Sequence, residues 1–386
     1  MDQYARGKTS RRERVLNKKE CCDLVVRDLN MFISIPIQGK LTQKEIFQSL
    51  VGMAVNHQSI HSISRTLTSA PCETSFRYHL NKLSISDLEG MNSQILTHST
   101  YQVLKKDHPY QVAIDFTHDP YYGETSQENE NYIIHSRLKK STTAFYSYVT
   151  LYVITKDHQI TLAVFPIRQG VSKVGYIAQC LDIISQLGLQ IEVLCLDREF
   201  YAKKVISFLQ SANVPFIMPV RRHSHRMKSL LIGIKSRFDT YSMKAKPAPL
   251  TLKIAIVVKY FKGNGGKHGS KNLGYVIHGI NWGPSQIHEA YRSRFAIESS
   301  YRMRNLVKPK TSSRNPLIRY LFTIISFLLK NIWVVLLWRY FSPQKRGPKT
   351  VDRRVFTFDI FISLVWDYVK KILKFIDHLI GLGRPI

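Results

Sequence analysis

The stretch Gln111–Phe116 reads QVAIDF, a short apolar run that ends with a carboxylate next to an aromatic ring. Further apolar or β-branched runs follow at Phe145–Ile154, Ile160–Ile167, Ile191–Leu196 and Val214–Pro219. A polar turn separates the second run from the third, whereas helical patterns separate the third, fourth and fifth runs. Antiparallel strands that are followed by strands with crossover helices predict an α/β fold built on a mixed sheet.

The charge of the chain indicates a polyanionic partner. Its 386 residues carry 56 Lys and Arg against 27 Asp and Glu, which gives a formal net charge of +29. Such an excess repels itself in the folded state, so nucleic acid is the first candidate partner and an anionic membrane surface is the second. The hydrophobic share of 44% is that of an ordinary globular protein and excludes wholesale disorder.

One apolar segment, Tyr320–Trp338, is long enough to span a bilayer. Lys330 and Asn331 fall near its middle, and a central Lys costs ~2.5–3.5 kcal/mol on insertion scales. We therefore predict a buried core helix and no membrane partner, with a transmembrane helix as the alternative. The five cysteines lack metal-site spacing and the basic N-terminus lacks an apolar core, which predicts a reducing, cytoplasmic setting without a signal peptide.

The N-terminal region contains a candidate DNA-binding motif. Ile60–Leu83 is typical of a helix, a turn and a second helix, and we assign Arg77 and Lys82 to the second helix. A helix-turn-helix would place that second helix in a major groove of double-stranded DNA. An ordinary helical hairpin is the alternative.

A basic stretch lies between the fifth strand and the next helix. Residues 221–271 hold 13 Lys and Arg and one acidic residue, a net charge of +12. Thr251–Tyr260 and Asn272–Ile280 predict a β hairpin around a Gly-rich tip. We interpret the stretch as a basic β insertion, with a solvated, charged hairpin as the alternative. The predicted DNA contacts here are Arg221, Arg222 and Arg226.

Three acidic residues stand out by their context. Asp115 is predicted to end the first strand, Asp197 to end the fourth, and Glu298 to lie in a long helix over Ser285–Arg304. The first and fourth strands of such a sheet can be neighbours, and a packed helix can bring a third carboxylate alongside. Converging carboxylates require cations, and two Mg²⁺ ions (or Mn²⁺ in their place) suit phosphodiester chemistry. Nearby competitors for the ligand roles are Asp119 and Glu199, and capping or solvated acids are the alternative.

The string Tyr291-x-x-Arg294-x-x-x-Glu298 resembles the Tyr-Arg-Glu-Lys signature of insertion-sequence DDE transposases. The stretches AIDFTHDPYYGE (Ala113–Glu124) and CLDREFYAKKVISFL look like the branch of that group first known from haloarchaeal elements (ISH). The resemblance implies a ribonuclease-H-like catalytic domain with a β insertion before the Glu. It also implies metal-binding catalytic roles for Asp115, Asp197 and Glu298, and DNA-positioning roles for Tyr291 and Arg294.

The chain departs from the signature at one position. The Lys expected seven residues after the Glu falls on Asn305. Two nearby cations, Arg302 and Lys308, are the candidates to supply the missing DNA contact.

The resemblance implies a transposase that cuts the ends of its own mobile element and joins them to target DNA. Its partner would be double-stranded DNA, bound by a homodimer, in a prokaryotic cytoplasm close to the nucleoid. One alternative is a nuclease or resolvase on the same fold that performs no strand transfer. A second alternative is a non-catalytic DNA-binding protein descended from a transposase.

These observations together predict five regions. Residues 1–105 form a helical DNA-binding region, 106–220 and 282–341 form the two parts of the catalytic core, 221–281 form the β insertion, and 342–386 form a C-terminal helical tail.

Overall fold

The computed structural model describes residues 15–244, 248–263, 268–342 and 350–378. The basic N-terminus before residue 15 and part of the predicted Gly-rich tip, residues 264–267, lie outside the described residues.

Within the described residues, nine strands form one sheet. They are β1 (Pro109–Tyr121), β2 (Ile133–Lys139), β3 (Thr142–Val153), β4 (Thr161–Pro166), β5 (Gln190–Leu196), β6 (Phe216–Pro219), β7 (Arg237–Met243), β8 (Leu250–Lys262) and β9 (His268–His278). Their order is β2-β3-β1-β5-β6-β9-β8-β7, and β4 also pairs with β3. The strands β1, β3 and β4 pair antiparallel, whereas β1, β5 and β6 pair parallel. The predicted mixed sheet and its ribonuclease-H-like strand order are confirmed.

The β insertion is part of the same sheet. Its strand β9 pairs antiparallel with β6, and β8 then pairs with β9 over ten residue pairs. The predicted hairpin is therefore confirmed, and it extends the sheet instead of standing apart from it. Sequence reasoning missed β7, whose alternation of exposed and half-buried residues is weak, and the short helix α8 (His225–Leu230).

Helices cover the sheet and form the N-terminal region. The first five are α1 (Lys18–Phe32), α2 (Gln43–Val55), α3 (Ile60–Thr66), α4 (Glu73–Leu80) and α5 (Ile85–Thr97). The remainder are α6 (Lys173–Gln186), α7 (Lys203–Ser211), α9 (Pro284–Ser293), α10 (Ala296–Asn305), α11 (Pro316–Tyr340) and α12 (Phe358–Ile372). The C-terminal α12 packs against α1 and α2, so the predicted tail joins the N-terminal helices in one cluster.

The helix α11 is long and apolar enough to cross a membrane, and 94% of its most apolar window is buried inside the protein. Its polar residues have partners within that core. The side-chain amide of Asn331 donates to Leu96 O at 2.9 Å and to Thr161 O at 2.8 Å, and its oxygen accepts from Thr161 N at 3.0 Å. Lys330 donates to the Tyr152 hydroxyl and to Gln159 O. These contacts make α11 the central helix of the core, as predicted.

Candidate active site

Asp115 lies at the point where two parallel strands separate. The pairing of β1 with β5 ends at Ile114 and Leu196, so Asp115 and Asp197 are the first residues beyond it. On its other side β1 remains paired with β3 as far as Tyr121. The prediction that Asp115 ends its strand is therefore wrong, because antiparallel pairing with β3 continues the strand by six residues. The first and fourth predicted strands, Gln111–Phe116 and Ile191–Leu196, correspond to β1 and β5, and the prediction that they are neighbours is confirmed.

A single arginine stands between the two carboxylates. Arg294 is 7% exposed, and its Nη1 donates to Asp115 Oδ2 at 2.9 Å. Its Nη2 lies 3.8 Å from Asp197 Oδ1, and its guanidinium carbon lies 5.5 Å from the centre of the Tyr291 ring. Asp115, Asp197, Arg294 and Tyr291 therefore form one cluster, as the resemblance implies. The ion pairs of Arg294 with the acids are a feature that sequence reasoning missed.

Burial and neighbouring charges shift the pKa values of the charged groups in this cluster. Burial raises the pKa of Asp115 to about 6, and the neighbouring Asp197 adds to the rise, while Arg294 opposes it. Burial alone would lower the pKa of Arg294, but Tyr291 and the two aspartates outweigh it and hold the guanidinium charged. The folded protein thus disfavours an ionised Asp115, although Arg294 lies beside it.

The predicted long helix is broken beside the cluster. It begins at Pro284, one residue before the predicted start, but it divides into α9 and α10 around Arg294 and Phe295. Here four backbone N–H groups bond three residues back: Arg294 to Tyr291, Phe295 to Arg292, Ile297 to Arg294 and Glu298 to Phe295. These are 3₁₀-type bonds, which turn the chain more tightly than α-helical bonds.

Among the described residues, Glu298 does not form a three-carboxylate group with Asp115 and Asp197. It lies exposed in the first turn of α10, whereas its neighbour Ile297 is buried. Across the described ranges, no group of three His, Cys, Asp or Glu side chains is close enough to hold a metal ion. The role of Glu298 as a ligand stays a prediction.

A second ion-pair cluster lies further along β1. Asp119 is 5% exposed and pairs with Arg304, which is fully buried, and with Lys308, whose Nζ lies 2.5 Å from Oδ2. Burial alone would raise the pKa of Asp119, but Arg304 and Lys308 outweigh it and lower it. Burial lowers the pKa of Lys308 to about 8. Asp119 is thus held by two cations of the protein.

This second cluster bears on the missing signature cation. Lys308 is occupied by Asp119, whereas Arg302 is exposed and has a hydrogen bond of 3.2 Å to the Ser299 hydroxyl. Of the two predicted candidates, only Arg302 has the exposure that a DNA contact requires. Alternation along β1 places positions 115, 117 and 119 on one face of the strand. This pattern is the one feature of the sequence that could have indicated that Asp119 lies on the same face as Asp115.

A cleft of about 570 Å³ adjoins Asp197. Its wall includes the aromatic rings of Tyr275, Tyr291 and Phe295. Five cations also line it: Arg198, Arg222, Lys271, Arg292 and Arg294. The only carboxylate among its lining residues is Asp197 itself, so the cleft suits a phosphate-bearing ligand.

The other predicted DNA contacts fall at different places. Arg221 donates to the backbone oxygen of Arg198 at 3.1 Å, and Arg226 lies over the Tyr241 ring. In the N-terminal region, Arg77 on α4 pairs with Glu73 at 2.9 Å. Lys82 lies beyond the end of α4, not on it, and donates to Pro36 O at 3.0 Å. The predicted helix-turn-helix is present as α3 and α4, helices of seven and eight residues, and its role on DNA stays a prediction.

The donor set of the cluster consists of two carboxylates, a type of ligand that Mg²⁺ binds. This ion takes one or two carboxylates together with phosphate oxygens and water. Asp115 and Asp197 supply two carboxylates to one gap, and a cation of the protein already occupies that gap. The two carboxylates are a donor type that Mg²⁺ takes, but an ion between them would have to displace the Arg294 guanidinium.

Comparison of the chain with protein-family models and with curated proteins gives no match. Among solved structures, the chain is similar to a cryo-EM structure of a piggyBac transposase synaptic complex with hairpin DNA. The TM-score is 0.52 at 12% sequence identity, over 94% of this chain and 83% of that chain. At this identity the similarity shows a shared fold.

Proposed function

We propose that this chain is a DDE transposase of the Tyr-Arg-Glu-Lys signature group, in its haloarchaeal-type branch. The observation that carries the proposal is the position of Asp115 and Asp197. They follow the last paired residues of the adjacent parallel strands β1 and β5, and Asp197 lines a cationic cleft. The fold adds support, because the piggyBac transposase that it resembles was solved with hairpin DNA.

Each residue of the cluster has a role in this proposal. Asp115 and Asp197 would hold one Mg²⁺ ion, and Glu298 would complete the site for a second. When bound, the two ions (or Mn²⁺) would activate the attacking oxygen and stabilise the leaving oxygen of a phosphodiester. Arg294 and Tyr291 would orient the phosphate at the cleavage point.

The proposed reaction has two steps on DNA. Water would cut the strand at the end of the element and leave a 3′-hydroxyl, which would then attack a phosphodiester of the target in line. The cleft beside Asp197 would hold the backbone through its five cations, and the protein would supply no covalent nucleophile. We further propose that the protein acts in the cytoplasm near the nucleoid and holds two element ends as a homodimer.

One observation favours a second candidate function. Because Glu298 is exposed and apart from the two aspartates, the third catalytic acid is not in place. A DNA-binding protein that descends from a transposase and has no catalytic activity would have the same cleft without a working site.

The test compares three alanine variants with the wild type. The substrate is duplex DNA that carries the terminal inverted repeats which flank the gene, and the assay measures Mg²⁺-dependent nicking and strand transfer from pre-cut ends. We expect Asp115→Ala and Asp197→Ala to lose at least about 100-fold in nicking, because a lost ligand removes several kcal/mol of transition-state stabilisation. The control Asp182→Ala removes an exposed acid on α6 and keeps full activity.

Each alternative gives a different result. If Asp115→Ala still cuts, the assignment of the site is wrong. Nicking without strand transfer identifies a nuclease or resolvase. If the wild type binds the repeats but never cuts them, the non-catalytic candidate is correct.

A further inference from the structure

A second cleft lies apart from the proposed site. It has a volume of about 590 Å³ and is lined by Lys156, Asp157, Gln159 and the segment from Thr350 to Arg354. Lys156 is exposed, and the Arg354 side chain is 91% exposed. None of the residues in this cleft has a role in the function proposed above.

The second cleft is connected to the candidate active site by shared walls. Lys156 and Gln159 also line a third cleft of about 470 Å³, which reaches Ser293 and Arg292. Arg292 in turn lines the cleft beside Asp197. Beyond the site, Arg222 lines both that cleft and a fourth one, which includes Lys228 on the insertion. The four clefts therefore share lining residues in sequence and form one track that passes Asp197.

The track is more cationic than the chain as a whole. Nine Lys and Arg side chains line the four clefts against three carboxylates, whereas the whole chain has 56 against 27. One of the three carboxylates is Asp197, and the others are held by arginines. Asp157 lies 3.4 Å from Arg353, and Asp352 lies 3.1 Å from Arg354. The Arg354–Asp352 pair is exposed, and a surface ion pair of this kind is weak in water and can be exchanged for a phosphate contact.

We propose that the cleft of Lys156 and Arg354 binds the phosphate backbone of duplex DNA on the side of the active site opposite the insertion. The inference rests on the proposed function and adds the path of the substrate. A duplex fits because its phosphates recur along both strands and match a long row of separated cations. With the insertion at one end of the track and Lys156 at the other, the bound duplex extends in both directions from the aspartate pair.

The experiment measures the salt dependence of DNA binding. The track variant carries Lys156→Gln and Arg354→Gln, and each neutralised phosphate contact contributes a slope of ~0.9 in log K against log salt. We expect the double variant to lower the slope by about 2. The matched control carries Lys371→Gln and Lys370→Gln on α12, where Lys370 pairs with Asp367 as Arg354 pairs with Asp352. The control keeps the wild-type slope, and thermal unfolding verifies that both variants are folded.

A second measurement locates the contact on the DNA. The duplex is shortened on one side of the cleavage point at a time. In the wild type, shortening the DNA on the side bound by the cleft of Lys156 and Arg354 lowers the salt slope of binding by the same amount of about 2. The salt slope of the track variant does not change when the DNA is shortened on that side. A role of these residues in folding alone would not produce this dependence on one side of the DNA.

The outcomes separate this inference from the proposed function. If the track variant keeps the wild-type slope while Asp115→Ala abolishes cleavage, the inference is wrong and the proposed function stands. If the wild type shows neither salt-dependent DNA binding nor cleavage, both are overturned.

Discussion

Asp115 and Asp119 lie four residues apart on β1, and each forms an ion pair with an arginine from the segment that contains α9 and α10. The two ion pairs differ in how completely they compensate the buried carboxylate. Asp119 is enclosed by Arg304 and Lys308, and its pKa is lowered in spite of burial. Asp115 has one close cation, Arg294, and shares it with Asp197, so burial raises its pKa to about 6. The protein satisfies Asp119 by itself and leaves Asp115 in need of a further cation.

This difference separates a structural ion pair from a candidate catalytic acid. A buried carboxylate that the fold fully compensates contributes to stability and has no capacity for a ligand. A carboxylate that the fold compensates only in part costs stability, and such sites occur where binding or catalysis supplies the missing partner. The comparison can be tested by removing each acid and by removing the cations that distinguish the two sites.

The largest expected effect on stability comes from Asp119→Ala. This change leaves the fully buried Arg304 without its carboxylate, and we expect the free energy of unfolding to fall by about 3–5 kcal/mol. Urea denaturation measures the change. The double variant Asp119→Leu with Arg304→Met removes both charges and should recover part of the loss. A loss below about 1 kcal/mol in the single variant would show that the cluster is not a structural ion pair.

The second effect is a contrast in pH dependence. For Asp115 the folded pKa of about 6 lies above the ordinary aspartate pKa of 3.8, so the folded state binds more protons and the wild type loses stability as pH rises through this window. Asp115→Asn lacks this loss. Between pH 4 and pH 7 its free energy of unfolding should therefore rise, relative to that of the wild type, by up to about 3 kcal/mol.

Asp119 behaves in the opposite sense. Its folded pKa is lowered, so its contribution is present above pH 4 and is lost as pH falls through the folded value. Urea denaturation of the two variants should therefore show differences from the wild type that change in separate pH windows. The difference for Asp115→Asn changes between about pH 4 and 6, whereas the difference for Asp119→Asn is constant above pH 4 and shrinks as pH falls below it. Differences that change in the same pH window would contradict the distinction between the two acids.

The smallest effect distinguishes the two candidate cations of the signature. Arg302 is exposed, so Arg302→Gln should leave the free energy of unfolding within about 0.5 kcal/mol and lower the salt slope of DNA binding by about 1. Lys308 is bound to Asp119, so Lys308→Gln should reduce stability and leave the slope unchanged. The reverse result would assign the DNA contact to Lys308.

Much of the fold could be predicted from the sequence. The apolar runs predicted the five core strands, and α9 begins at Pro284, one residue before the predicted start of the helix. Polar residues in the apolar segment 320–338 indicated a buried helix, and their partners on β3, β4 and α5 explain why burial is tolerated. These features are local in the sequence, or they follow from its periodicity.

The parts that could not be predicted depend on contacts between distant segments. The ion pair of Asp119 with Arg304 joins residues 185 positions apart, and only the packing of α10 on β1 brings them together. The break after α9 has no Gly or Pro to announce it in the stretch from Tyr291 to Glu298. The length of β1 was underestimated because pairing with β3, not apolar content, carries the strand past Asp115.

The tight turn between α9 and α10 has a geometric consequence for Glu298. An α-helix advances by about 100° and 1.5 Å per residue, whereas a 3₁₀ turn advances by about 120° and 2.0 Å. Over the four steps from Arg294 to Glu298 the difference amounts to about 80° of rotation and about 2 Å of length. A change to α-helical bonding over these residues would swing Glu298 towards the side of the helix that carries Arg294 and draw α10 closer to α9. The tight turn therefore sets the direction in which Glu298 leaves the helix, and in the structure that direction is towards solvent.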